Sequence, residues 1–413
     1  STCMTRRGSG VRIPYGPPRA PGRPCARRAL VAVGCQFFVN GAMTASFVAR
    51  APQIRDRIGV GIDTFGLLLT LAAVAGILGG LVAGRIVPTA TTRRVLLVGA
   101  VVMPVSLPII GVARGPAVWL AGMVAYMFLD VLVDISMNLQ GSWISARRHT
   151  PVMNRLHGLW SLGTLAGGLG AVAANAAGLS PATHLLIVAV AMALVLGAVA
   201  RDLLPTDQDD HGDAAPARPG RTWRARAAPL LLLVLAGAFA VVAEVTGGDW
   251  ATFRLTDDLG AAAAVGSLAF VAYTVGMTSM RLVGDGLQVR LGRMGLHLLS
   301  IGLAVVGFVV ASFAPDRGLS IAGFLLVGTG VATFMPKLYN DAARLPGRRG
   351  AGLGAMTAGV RSAYLVTPAA VGWLAGTGLS VGEAIAIFTL PAMVGLALVT
   401  EANERLLRRA RDG

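Results

Sequence analysis

The sequence predicts an all-α polytopic membrane protein, with twelve transmembrane helices in two pseudo-symmetric six-helix bundles. Three observations predict it. Charged residues make up 14% of the 413 and hydrophobic residues 54%, against roughly 25% charged in a soluble domain. That leaves too few ionisable groups for a water-facing surface. The apolar residues fall into twelve runs, each of the roughly 20 residues a helix needs to cross about 30 Å of hydrocarbon. One long polar stretch divides those runs six and six.

Residues 1–28 are rich in proline, glycine and arginine and read as a disordered basic tail. No signal-peptide cleavage pattern follows, so the first apolar run is expected to remain as a span. Spans are placed near 29–49, 64–87, 95–113, 117–141, 156–177 and 182–200, giving an N-terminal bundle over 29–200. A linker over 201–227 is acidic and then basic. Spans near 228–248, 261–284, 294–313, 317–337, 352–375 and 381–400 give a C-terminal bundle over 228–400, and 401–413 form a basic tail.

The net charge of +16 is explained by where the arginines sit. With the N-terminus in the cytoplasm, 28 positive residues fall on the cytoplasmic side. Six fall outside: Arg50, Arg55, Arg57, Arg114, Arg254 and Arg317. That bias supports an even number of spans with both termini inside, and it explains the charge without a nucleic-acid partner. The linker is expected to lie along the anionic leaflet. Cys3, Cys25 and Cys35 have no metal-ligand spacing, the five histidines form no metal motif, and there is no P-loop. No cofactor and no metal are expected, and the chain is read as a monomer.

The halves resemble each other weakly. The fourth and tenth spans both lead into a double arginine, Arg147-Arg148 and Arg348-Arg349. A six-plus-six duplication is the pattern of a large class of carriers that rock about a midplane site. Glycines at four-residue spacing (Gly76, Gly80, Gly84) and in the fifth span (Gly163, Gly167, Gly168, Gly170) suit close helix contact.

Polar groups inside spans are costly, roughly 2.5–3.5 kcal/mol for a charge at a helix centre, so they mark the candidate site. In the fourth span Tyr126, Asp130, Asp134 and Asn138 recur every four residues and share one stripe. Two carboxylates one turn apart repel when both ionise, so one is expected to hold a proton. The bland alternative is an acid paired with a base to fix packing. The first span carries a second, uncharged stripe, Gln36, Asn40 and Thr44, suited to hydrogen-bonding a solute or a neighbouring helix. Glu244 in the seventh span is the next acid, and Asp249-Trp250 close that span at the interface. Arg361 lies mid-span in the eleventh, where it pairs with Asp130 or Asp134, binds an anionic solute group, or forms a structural ion pair across the halves. His157, opening the fifth span, reads as a packed hydrogen-bonder before it reads as a switch.

These residues carry a resemblance. The region 29–400 resembles the major facilitator superfamily, and the segment RLVGDGLQVRLGR is similar to that family's signature loop. Arg281, Gly284, Asp285, Arg290, Gly292 and Arg293 fall in it. The first-half counterpart, GRIVPTATTRR, supplies Gly84, Arg93 and Arg94 but no aspartate. FFVNGAMTASFVARAPQIRDRIG, DISMNLQG, RLHGLWSLGTLAGGLGA and AEVTGGDWATFRL resemble the bacterial YbjJ-like inner-membrane subgroup. The fifth span matches the family's antiporter motif at Gly163 and Gly167, with Gly168 where that motif has proline.

The resemblance implies the major facilitator fold and a secondary carrier of a small solute. Protons are the expected driving ion, Asp130, Asp134 and Glu244 the proton-coupling residues, and Gln36, Asn40, Thr44, Tyr126, Asn138 and Arg361 the solute contacts. Export is favoured, and import of a sugar-like or other polar solute is the alternative. An intramembrane aspartyl protease is excluded because Asp130 and Asp134 share one helix. A sensor or scaffold on a carrier fold is the reading of another class.

Overall fold

The computed structural model describes residues 23–148, 152–204, 224–344 and 351–412, and every regular element among them is helical. The first half holds α1 (Arg23–Val48), the short α2 (Ala51–Ile58), α3 (Ile62–Ala90), α4 (Thr92–Val112), α5 (Pro116–Arg148), α6 (Met153–Ala176) and α7 (Pro181–Val199). The second holds α8 (Arg224–Asp249), the one-turn α9 (Ala251–Phe253) running into a π-turn (Arg254–Asp258), and α10 (Ala263–Phe313). It is completed by α11 (Arg317–Val331), α12 (Phe334–Arg344), α13 (Ala351–Gly376) and α14 (Val381–Asp412).

All twelve expected spans fall on these helices. α10 carries the eighth and ninth as two arms meeting at Gly292, and α11 with α12 carries the tenth. α1 begins within the expected N-terminal tail, at Arg23, and α14 continues through the expected C-terminal tail to Asp412. Most of the tail, 1–22, and most of the linker, 205–223, lie outside the described residues.

Ten segments are long and apolar enough to cross a membrane. The expected spans not among them are α6 and α13, the fifth of each half. Each carries five glycines, and α6 adds His157, Ser161 and Thr164. Both pack across the halves on two long helices: α6 on α1 and α10, and α13 on α8 and α3. The sides that face those helices have no need of uniformly apolar residues, and small ones let the backbones approach.

Glycine sets how closely these helices approach. A Cβ on Gly163 would stand 2.0 Å from the Phe38 carbonyl oxygen of α1, and one on Gly359 would stand 1.8 Å from that of Val234 in α8. The expected stripe in α3 is partly corrected. Gly76 makes ordinary contact with α5, and Gly84 faces open space. The tightest contact with α5 belongs to Gly79, off the stripe, against the Phe128 carbonyl.

The two halves meet through α3 against α13 and α6 against α10. Their hydrogen bonds gather toward one end, the end of α2 and α9. Thr70 Oγ1 donates to the Leu365 carbonyl at 2.8 Å and accepts from the Ala369 amide. Ser267 Oγ donates to the Ala49 carbonyl at 2.6 Å. Asn175 receives the Gln53 amide at 2.9 Å and donates to Ser267 Oγ at 2.9 Å. Arg55 pairs with Asp257 and lies over the Phe253 ring, 5.2 Å from its centroid. This is the sealed end. At the opposite, linker end Leu282, Val283 and Val289 are exposed.

Candidate functional site

The expected acidic stripe faces into the molecule. Asn40 of α1 donates Nδ2 to Asp130 Oδ1 of α5 at 2.6 Å, and Trp160 of α6 donates Nε1 to Asn40 Oδ1 at 2.9 Å. Asn40 therefore ties three helices together with both ends of its amide occupied. One turn along α5, Asp134 is exposed and receives Asn138 Nδ2 at 3.0 Å. Among the described residues neither aspartate has a cationic partner within ion-pair distance.

Thr44 and Tyr126 share a hydrogen bond of 2.9 Å, and Tyr126 is fully buried with its ring edge-on to Phe47. This pair packs α1 against α5 rather than facing an open space. Gln36 is also buried, and its Nε2 has no hydrogen-bond partner among the described residues.

Across the interface, α8 and α13 supply the facing chemistry. Glu244 lies 3.8 Å from Arg281 of α10, and its backbone carbonyl accepts the Tyr273 hydroxyl at 3.0 Å. Asp249, five residues on, has neither an ion pair nor a hydrogen bond among the described residues. Tyr364 of α13 is 44% exposed, yet it lies within electrostatic reach of Glu244, Asp249 and Asp130. Its open side therefore belongs to an internal crevice between the halves rather than to lipid.

Arg361, one turn before Tyr364, pairs with neither Asp130 nor Asp134. Its guanidinium rests on Gly80 of α3, where a Cβ would stand 3.1 Å from Nη2. It makes no ion pair or hydrogen bond among the described residues. Here Gly80 leaves room for a cation from the other half. His157 packs edge-on to Phe37 at 5.2 Å, in line with a packed role.

The signature-loop residues divide. Arg293 pairs with Asp341 and lies 3.6 Å from Glu404, and Lys337 reaches Asp341 at 2.6 Å. Gly292, at φ 72°, makes the bend that brings Arg293 to them. Gly284 has open space where a Cβ would stand, Arg290 is exposed, and the side chain of Asp285 lies outside the described residues. Arg94 is exposed, while Arg93 buries an Nε without a partner.

Sequence reasoning missed Trp160, Tyr273 and Tyr364, and read Asp249 only as the interfacial end of its span. Trp160 and Asp249 stood inside quoted motifs, but nothing in helical periodicity assigns them a partner on another helix.

Residues 32–368 match the family model described as the Major Facilitator Superfamily. The chain is 25% identical over 342 residues to an uncharacterized MFS-type transporter of Yersinia pestis, covering 82% of this chain and 87% of that one. It is 27% identical over 369 residues to the membrane protein MosC of Rhizobium meliloti, covering 88% and 87%. Among solved structures, the nucleoside transporter NupG superposes with a TM-score of 0.68 at 12% identity, covering 91% of this chain and 98% of that one. An inward-facing, occupied bacterial homologue of the lysosomal transporter Spinster gives 0.61 at 13% identity, covering 94% and 98%. At these identities the structural likeness establishes the fold.

Proposed function

The chain belongs to the major facilitator superfamily and is a multi-pass membrane transporter of a solute, and from that premise we propose that it couples the transport of a small polar solute to protons by alternating access. One observation carries the reading: the Asp130–Asp134 pair of α5 has no cation within ion-pair distance among the described residues, and Asp130 is joined to α1 and α6 through Asn40 and Trp160. An amide donating to a carboxylate makes a bond roughly twice as strong as one to a neutral acceptor. Protonating Asp130 weakens the Asn40 bond and loosens the junction of three helices, so a proton changes helix packing at the crevice wall. Asp134 and Asn138 from one half, with Tyr364 and Arg361 from the other, offer a polar solute donors and acceptors on both sides.

One proton moving down 100 mV supplies about 2.3 kcal/mol, which sustains a solute gradient of about fifty-fold. With the cross-half hydrogen bonds gathered at the α2 and α9 end, the crevice in this reading opens toward the linker end. Reaching the other side requires separating the Arg55–Asp257 and Ser267–Ala49 contacts at the sealed end while the linker end closes.

The test is proton movement in proteoliposomes loaded with a pH dye, with pooled solutes added outside. Solute-evoked flux is expected in the wild type and absent in Asp130→Asn with Asp134→Asn. Inward protons mean symport and outward protons antiport. Tracer solute entering without proton movement would sink the coupling. Entry of none across a broad panel would favour the sensor reading.

A further inference from the structure

A second polar site lies away from the crevice, on the sealed end of the first half. A cavity of about 540 Å³ is lined by Arg50, Gln53, Asp56, Arg57, Asn175 and the Gly178–Pro181 turn that starts α7. Its charge is unbalanced. Arg50 is 2% exposed, and its guanidinium meets only neutral acceptors: Gln53 Oε1 at 2.8 Å, the Leu179 carbonyl at 2.7 Å and the Ser180 carbonyl at 3.3 Å. Burial without a carboxylate pushes Arg50 down to about 10.

Arg57 also lacks a counter-ion among the described residues. Its Nε is buried without a hydrogen-bond partner among the described residues. The one carboxylate on the wall, Asp56, is already held by Arg55 at 2.6 Å. Two guanidiniums thus share a hollow in which no free carboxylate among the described residues answers them. A buried cation without its partner is expensive, and a planar guanidinium fork is built to hold oxyanions.

We propose that this cavity is a binding site for a phosphate-class oxyanion, held by Arg57 and Arg50. The volume exceeds that of one phosphate, so either a free phosphate or the phosphate of a lipid headgroup at the interface fits the same chemistry. Gln53 and Asn175 line the cavity and also form the chain of amides that reaches Ser267 in the other half. The bound anion therefore sits against the seam that closes this end.

The test uses the full chain in detergent, with thermal unfolding followed at constant ionic strength as inorganic phosphate replaces chloride. The wild type is expected to gain thermal stability in a saturable way. Arg57→Gln is expected to melt no lower than the wild type without phosphate, because Arg57 holds no other group among the described residues and its unpaired charge is removed, and to weaken the apparent affinity about tenfold. Arg114→Gln, an exposed arginine outside the cavity, is expected to respond like the wild type. A parallel series in nanodiscs of zwitterionic or anionic phospholipid separates the two sources. A response to anionic lipid alone, lost in Arg57→Gln, assigns the headgroup. No response to either, or equal responses in the wild type and Arg57→Gln, overturns the site.

Discussion

The linker-side ends of the two halves share geometry and differ in chemistry. Thr91 and Gly292 occupy equivalent joints, each at positive φ (71° and 72°) and each just before the residue that reaches across, Thr92 or Arg293. Gln140 and Asp341 both stand seven residues before their double arginine. In the first half Gln140 Nε2 donates to Thr92 Oγ1 at 3.0 Å, and its Oε1 receives the Leu204 amide at 3.2 Å. In the second half the same positions hold ions: Arg293 on Asp341, with Lys337 and Glu404 completing a four-charge cluster. One backbone arrangement is latched once by neutral amides and once by charge. The acids on α5 of the first half stand further along that helix, at Asp130 and Asp134. A duplicated framework fixes where side chains meet and leaves free what they are.

The largest expected effect breaks the charged latch. Asp341 has a side chain only 1% exposed and is shared by two cations, so Asp341→Ala leaves buried charge uncompensated. A loss of about 3–5 kcal/mol follows, read by thermal or denaturant unfolding in detergent. The matched change in the neutral latch, Gln140→Ala, is expected to lose about 1–3 kcal/mol. Equal losses would mean that the two latches do not differ in kind.

The comparison sharpens when chemistry is transplanted. Thr92→Arg with Gln140→Glu installs an ion pair at the first-half joint. Each single change is expected to destabilise, and the double to recover about 0.5–3 kcal/mol relative to their sum. Recovery establishes that the two positions face each other as Arg293 and Asp341 do. Strict additivity would break the equivalence. Thr91 adds a smaller test of the same joint. A β-branched residue at positive φ is strained, so Thr91→Gly is expected to stabilise by about 1 kcal/mol, as a small rise in melting temperature.

Much of this was legible in the sequence, and the reasons for the rest are physical. Periodicity placed Asp130, Asp134 and Asn138 on one face because a helix repeats every 3.6 residues. It had no means of setting Trp160 opposite Asn40, 120 residues away. The equivalence of Gly178-Leu179-Ser180 and Gly378-Leu379-Ser380 was available as a repeat. Both glycines take positive φ, and both serines cap the next helix, accepting from Thr183 and Glu383 at 3.1 Å. Arg361 was read as a cation for a carboxylate, an anionic solute or an ion pair across the halves, whereas its neighbour is Gly80, a residue with no side chain to betray the contact.

The smallest expected effect concerns the sealed end, where the halves meet rather than match. Arg55 bridges to Asp257 and covers Phe253 at the edge of the molecule. Surface ion pairs contribute about 0–1 kcal/mol, so Arg55→Gln should hardly move the melting temperature. The same energy acts differently on a balance between two conformers, where 1 kcal/mol changes the population ratio about five-fold. Spin labels at Arg114→Cys and Pro315→Cys, in a background with the native cysteines replaced by serine, report the separation of the two halves at this end. The long-distance fraction is expected to grow in Arg55→Gln, and Asp257→Asn is expected to match it without adding to it. If the distance distribution stays fixed while the pair is cut, the closure rests on the buried bonds of Ser267, Asn175 and Thr70 alone, and the charge at the rim has no part in it.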